Sequence, residues 1–174
     1  MGKVAASPQP AVSATSSGAE DAAADSGFGH GEGSGTSQCA VYSHRTQQLE
    51  LLGAHEAHSV QLGRREWDLF TLSPVECAGG VSWAPLGLAS MLNGGGAILA
   101  SSLSPRALGG AQASVTLRAS GAFVAYCRPR PRGVKVDGRL AKFEYDEDTG
   151  LLKLPMARQA RPVEISVWLP RSAR

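Results

Sequence analysis

The sequence lacks long apolar runs, is poor in aromatic residues and cysteines, and has no extended helical pattern. Each shortage removes a class of protein. No stretch of roughly 18 apolar residues occurs, which excludes a helical membrane span and gives no reason to expect a membrane partner. The three cysteines, Cys39, Cys77 and Cys127, are odd in number, widely spaced and form no C-x-x-C pair. They support neither a disulfide framework nor a zinc site. They are expected to be reduced and mostly buried as small apolar side chains. That favours an intracellular chain, cytoplasmic by preference, with a plastid as the alternative compartment. No long amphipathic helix can be traced, so the βαβ architectures are set aside.

The 174 residues divide by composition. In residues 1–38, 22 are Ala, Gly or Ser, and of the ten aromatic residues only Phe28 lies there. Such a segment has too little apolar surface to offset chain entropy and is expected to be disordered. Its end, FGHGEGSGTS, reads as a linker. Its start lacks the basic-then-apolar layout of a secretory signal, and its four acids and missing arginine speak against a transit peptide. Residues 39–174 can fill one domain but not a (β/α)₈ barrel, which needs about 250 residues.

Charge is also divided. Lys3 against Glu20, Asp21, Asp25 and Glu32 gives residues 1–38 a net −3, leaving +5 for the remainder. Much of that excess comes from Arg128, Arg130, Arg132, Lys135, Arg139 and Lys142. Such a cluster attracts phosphates, but a solvated hairpin edge kept soluble by charge is the simpler expectation. No nucleic-acid partner is expected.

From Cys39 onward, short apolar runs alternate with turn signals. Strands are expected at Cys39–His44, Gln48–Leu52, His58–Leu62, Glu66–Leu72 and Val75–Cys77. In Glu66–Leu72, Trp67, Leu69 and Thr71 share one face. Leu88, Met91 and Leu92 fit one face of a short helical turn, and Asn93-Gly94-Gly95-Gly96 reads as a tight turn with positive φ. The glycine run has no Lys-Ser/Thr after it, so it is not a phosphate loop. Further strands are expected at Ala97–Leu103, Ala113–Ala119, Ala122–Arg128, Val134–Val136, Leu140–Tyr145, Leu151–Leu154 and Val163–Leu169. Pro129 and Pro131 end a strand or place one at an edge. Asp137-Gly138 is a two-residue hairpin signal. In the last strand Val163, Ile165, Val167 and Leu169 point inward. Turns every eight to twelve residues predict an all-β, antiparallel sandwich over residues 39–174.

Residues with chemical potential are sparse. The acidic turn Asp146–Asp148 does not match the calcium-loop spacing and reads as a solvated turn. His44, His55 and His58 are close in sequence but lie in loop and strand patterns, which makes a metal site unexpected. Ser43-His44 lacks a nearby acid and an oxyanion-hole motif, so no serine triad is expected. Trp67, Trp83 and Trp168 are either core residues or stacking platforms for a sugar ring. No residue is assigned a catalytic, cofactor-binding or metal-binding role, and no cofactor is expected.

CAVYSHR (39–45), REWDLFTLSPVE (65–76), WAPLGLASMLNGGGAI (83–98) and FEYDEDTGLLKLPMA (143–157) together resemble the C-terminal region of plant raffinose synthases and seed imbibition proteins. The resemblance covers about residues 39–169; residues 1–38 match nothing in it. It implies a larger parent enzyme with a catalytic (β/α)₈ barrel and a C-terminal β-sandwich. Such enzymes transfer galactose from galactinol to sucrose with retention, between two carboxylates roughly 5 Å apart. In the family both carboxylates belong to the barrel, and no segment here resembles the barrel motifs. The expectation is therefore a sandwich fragment that is inactive alone and has the barrel as its partner. The alternatives are a stand-alone module that binds galactosides and an interaction module for a full-length homologue.

Overall fold

A computed structural model describes residues 38–107 and 109–171. The disorder expected of residues 1–38 concerns a segment of which only Gln38 lies among the described residues. The fold is all-β. Among the described residues the strands are β1 (Gln38–Ser43), β2 (Leu49–Gly53), β3 (Phe70–Pro74), β4 (Glu76–Ala78), β5 (Val81–Leu88), β6 (Ile98–Pro105), β7 (Ala111–Leu117), β8 (Phe123–Arg128), β9 (Gly133–Val136), β10 (Arg139–Ala141), β11 (Glu144–Tyr145), β12 (Leu151–Leu154) and β13 (Val163–Leu169). One 3₁₀ turn, Gly95–Ala97, stands between β5 and β6.

The strands form three antiparallel sheets, ordered β2-β1-β3, β11-β12-β8-β5-β4 and β10-β9-β13-β7-β6. The β8-centred sheet lies in the middle. Its strand Phe-Val-Ala-Tyr-Cys is buried without alternation, as a strand covered on both faces must be. Phe123, Ala125 and Cys127 join Val115, Leu117, Ile165 and Val167 of the β13 sheet in one core. Val124 and Tyr126 join Ala40, Tyr42 and Leu49 of the three-stranded sheet in a second. The sandwich expected from the sequence is present, and a third sheet is laid on its outer face.

A bulge in β5 lets one strand serve both cores. Pairing with β8 slips between Pro85 and Gly87. Side chains alternate faces along a strand, and an extra residue shifts the phase. Leu86 therefore enters the core under the three-stranded sheet, while Leu88, two residues on, enters the sandwich core.

Several expected elements are absent or displaced. His58–Leu62 is not a strand, and of Glu66–Leu72 only the part from Phe70 onward is strand, with the Leu69 carbonyl accepting from the His44 N–H just before it. Trp67 is 62% exposed, because residues 66–69 lie outside the strands. Leu88 ends β5 and Leu92 is 79% exposed, so no helical turn gathers them. Gly87, not the Gly94–Gly96 run, takes positive φ, at 91°. Leu140–Tyr145 is split between β10 and β11, which belong to different sheets. The hairpin at Asp137-Gly138 is formed as expected, with φ of 47° and 78°. Cys127 is buried and Cys39 half-buried, but Cys77 is exposed. It occupies β4, at the edge of the middle sheet.

Candidate functional site

A groove of about 440 Å³ runs along the three-stranded sheet and is lined on one side by residues 58–62. Ser43 and Arg45 reach it from the end of β1, Glu50 from β2, His58 from the loop, and Asp68 and Phe70 from the approach to β3. Asp68 organises one wall. It accepts from the Ser43 hydroxyl at 2.7 Å and from the N–H groups of Arg45 and Leu69 at 3.2 and 2.7 Å. Ser43 Oγ in turn accepts from the Thr46 N–H and hydroxyl. The β1–β2 turn is thereby tied to the entry of β3.

Partial burial tends to raise the Asp68 pKa. The Ser43 hydroxyl, the two N–H groups and the Arg45 charge together outweigh it and leave the carboxyl below its ordinary value. Glu66 is also lowered, first by the Gly63 N–H and then by the charge of Arg45, 3.6 Å away. This is the opposite of what an acid catalyst in a retaining pair needs, since that carboxyl must hold its proton. On the other wall His58 Nδ1 meets Glu50 at 2.6 Å and its ring stands edge-on to Phe70.

The remaining sequence candidates are dispersed. Ser43 has an acid partner in Asp68, but the His44 ring turns away, toward the Ala89 carbonyl at 3.2 Å and the Thr71 hydroxyl at 2.8 Å. Proton transfer through a Ser-His-Asp relay needs the imidazole between the other two, so Ser43, His44 and Asp68 form no triad. Sequence reading missed Asp68 as the acid of this network because it lies 25 residues from Ser43 and only the β1–β3 pairing joins them. His44 and His58 serve separate contacts. Among the described residues no three His, Cys, Asp or Glu side chains gather as metal ligands.

In the acidic turn, Asp146 accepts from Asp148 N–H and the Thr149 hydroxyl, which lowers its pKa. Glu147 pairs with Arg130 at 2.9 Å, and Arg128 donates to the Asp148 carbonyl. The tryptophans lie in separate settings. Trp83 is fully buried in the sandwich core, Trp67 is exposed beside the three-stranded sheet, and Trp168 alternates outward from β13. They make no common stacking platform.

Residues 5–156 match the family described as raffinose synthase or seed imbibition protein Sip1. The chain belongs to the raffinose synthase family. The match begins well before Cys39, so the expectation that residues 1–38 match nothing in the family is corrected. It ends at Met156, ahead of β13. The galactinol–sucrose galactosyltransferase of Oryza sativa subsp. japonica is 35% identical over 136 residues, 76% of this chain and 17% of the relative. A probable galactinol–sucrose galactosyltransferase 6 of Arabidopsis thaliana is 32% identical over 127 residues, 72% of this chain and 16% of the relative. The galactinol–sucrose galactosyltransferase of Pisum sativum is 27% identical over 110 residues. The chain spans about a sixth of the length of the rice and Arabidopsis relatives.

Proposed function

We propose that this chain is the C-terminal β-sandwich portion of a raffinose-synthase-type galactosyltransferase, the enzyme class that moves galactose from galactinol to sucrose. In this reading the three sheets brace a catalytic barrel and the reacting carboxylates lie outside these residues, so the chain alone does not transfer galactose. The observation that carries it is a family match whose described residues, from 38 onward, fold as β-strands joined by turns and loops. Purified chain incubated with galactinol and sucrose should form no raffinose; robust formation overturns the reading.

The distribution of exposed apolar side chains supports a docking face toward that barrel. Val60, Leu62, Trp67 and Leu72 are 45–63% exposed, and all come from β3 and the segment leading into it. Four large exposed apolar side chains within thirteen residues of sequence favour a covering partner over single scattered surface residues. A second reading is a module that binds galactosides. The groove over the three-stranded sheet favours it, because its size falls in the range of small-ligand clefts and its rim offers both donors and acceptors. Calorimetric titration with galactose, raffinose and galactinol decides it; absence of saturable heat disposes of the module.

A further inference from the structure

Where β6, β7 and β13 meet the β6–β7 turn there is a second groove, of about 410 Å³, whose lining includes Arg106, Gly109, Arg132, Trp168, Pro170 and Arg171. Backbone contacts fix its frame. A Cβ on Gly79 would lie 2.2 Å from the Gly110 carbonyl oxygen, and one on Gly110 2.3 Å from that of Leu169. The β4–β5 turn, the β6–β7 turn and the segment after β13 are thus held together at distances only glycine permits. Arg106 N–H donates to Gly110 O, and Arg132 N–H donates to Trp168 O at 2.8 Å. The Arg171 stem lies across Gly109, whose missing Cβ would come within 3.3 Å of Arg171 Cδ. The Trp168 indole is held by Nε1–H donation to Gln112 at 3.3 Å and by the Lys135 ammonium, 4.7 Å from the ring centre.

Arg106, Arg132 and Arg171, all exposed, therefore line one groove whose backbone frame is fixed and whose lining holds no Asp or Glu. Among the described residues none of the three forms an ion pair. Like charges gathered without acids repel, and an anion between them removes that repulsion. Carboxylate is satisfied by one guanidinium fork, whereas several guanidinium groups suit the three terminal oxygens of a phosphate. We propose that this groove is a phosphate site, for inorganic phosphate or for a small phosphate monoester whose organic part rests on Trp168 and Pro170.

The test is calorimetric titration of the full 174-residue chain at fixed ionic strength. The probes are inorganic phosphate, glucose 1-phosphate and potassium chloride. Saturable binding of at least one phosphate probe is expected, weakened about tenfold by Arg132→Gln and by Arg171→Gln. Arg118→Gln should leave it unchanged, because Arg118 follows the opposite end of β7. Tighter binding of the ester identifies a phosphorylated sugar as the preferred ligand, and equal binding identifies free phosphate. Heat that follows ionic strength alone, or equal losses in all three variants, overturns the site.

Discussion

Gly87 in β5 and Gly94 in the turn after it are in backbone contact: a Cβ on Gly87 would lie 2.0 Å from the Gly94 carbonyl oxygen. That oxygen also accepts from the Leu88 N–H at 3.2 Å. The Gly-rich element of the family resemblance is therefore a close-approach device that turns β5 toward β6. Gly87→Ala adds a positive-φ penalty to a steric clash and should lower unfolding free energy by about 3 kcal/mol or more. Gly95→Ala, whose Cβ meets only Thr71 Cγ2 at 3.6 Å, should change it by less than about 1 kcal/mol. Urea denaturation of the two variants separates the cases.

Trp83 and Cys127 face each other across β5 and β8, both fully buried. The Trp83 Nε1–H has no hydrogen-bond partner among the described residues. Trp83→Ala should cost about 3–5 kcal/mol through the cavity it opens. Trp83→Phe should cost less than about 2 kcal/mol, because it removes an unpartnered donor along with some packing. Equal losses in the two variants would contradict this account.

Burial pushes the Cys127 thiol well above its ordinary pKa, and thiolate is the reactive form. In the native chain Ellman's reagent should therefore modify exposed Cys77 quickly, half-buried Cys39 more slowly, and Cys127 only on unfolding. Three equivalent thiols in native buffer would rule this out.

Asp137 accepts from the Glu164 N–H at 3.0 Å and pairs with Arg161 at 2.8 Å. The Glu164 N–H first, then Arg161, hold its carboxyl below the ordinary 3.8, against a smaller opposing effect of burial. A depressed folded pKa adds stability that is fully present above the unfolded value and is lost as pH falls through the folded one. Thermal melts should thus show Asp137→Ala less stable than the parent at pH 7, with the gap narrowing below about pH 4. A gap constant from pH 7 to pH 2 would assign the effect to the turn backbone alone.

The apolar side chains on β3 and before it should make the isolated chain associate. Sedimentation velocity should show concentration-dependent association that Trp67→Ser with Leu72→Ser reduces. The paired change should shift stability by no more than about 1 kcal/mol, as exposed sites usually do. A parent chain that stays monomeric at high concentration would remove the support for a covering partner.

Strand identity was legible where one face is buried. In β7 and β13 the alternating pattern maps onto a buried-exposed alternation residue by residue, and Asp137-Gly138 marked its hairpin correctly. Trp67 misled because bulk on alternating positions looks the same in a strand and in a segment outside one. Asp68 was invisible as Ser43's partner because no local pattern links residues from separate strands.

The sequence by itself determined the all-β class, the strand period and the family resemblance, since these rest on neighbouring residues and their order. Only the tertiary structure decided that the middle sheet is covered twice, that Leu86 and Leu88 enter different cores, and that Arg106, Arg132 and Arg171 share one groove. Alternation tells a strand that it has two faces; which sheet lies against each is settled by pairing between strands far apart in the chain.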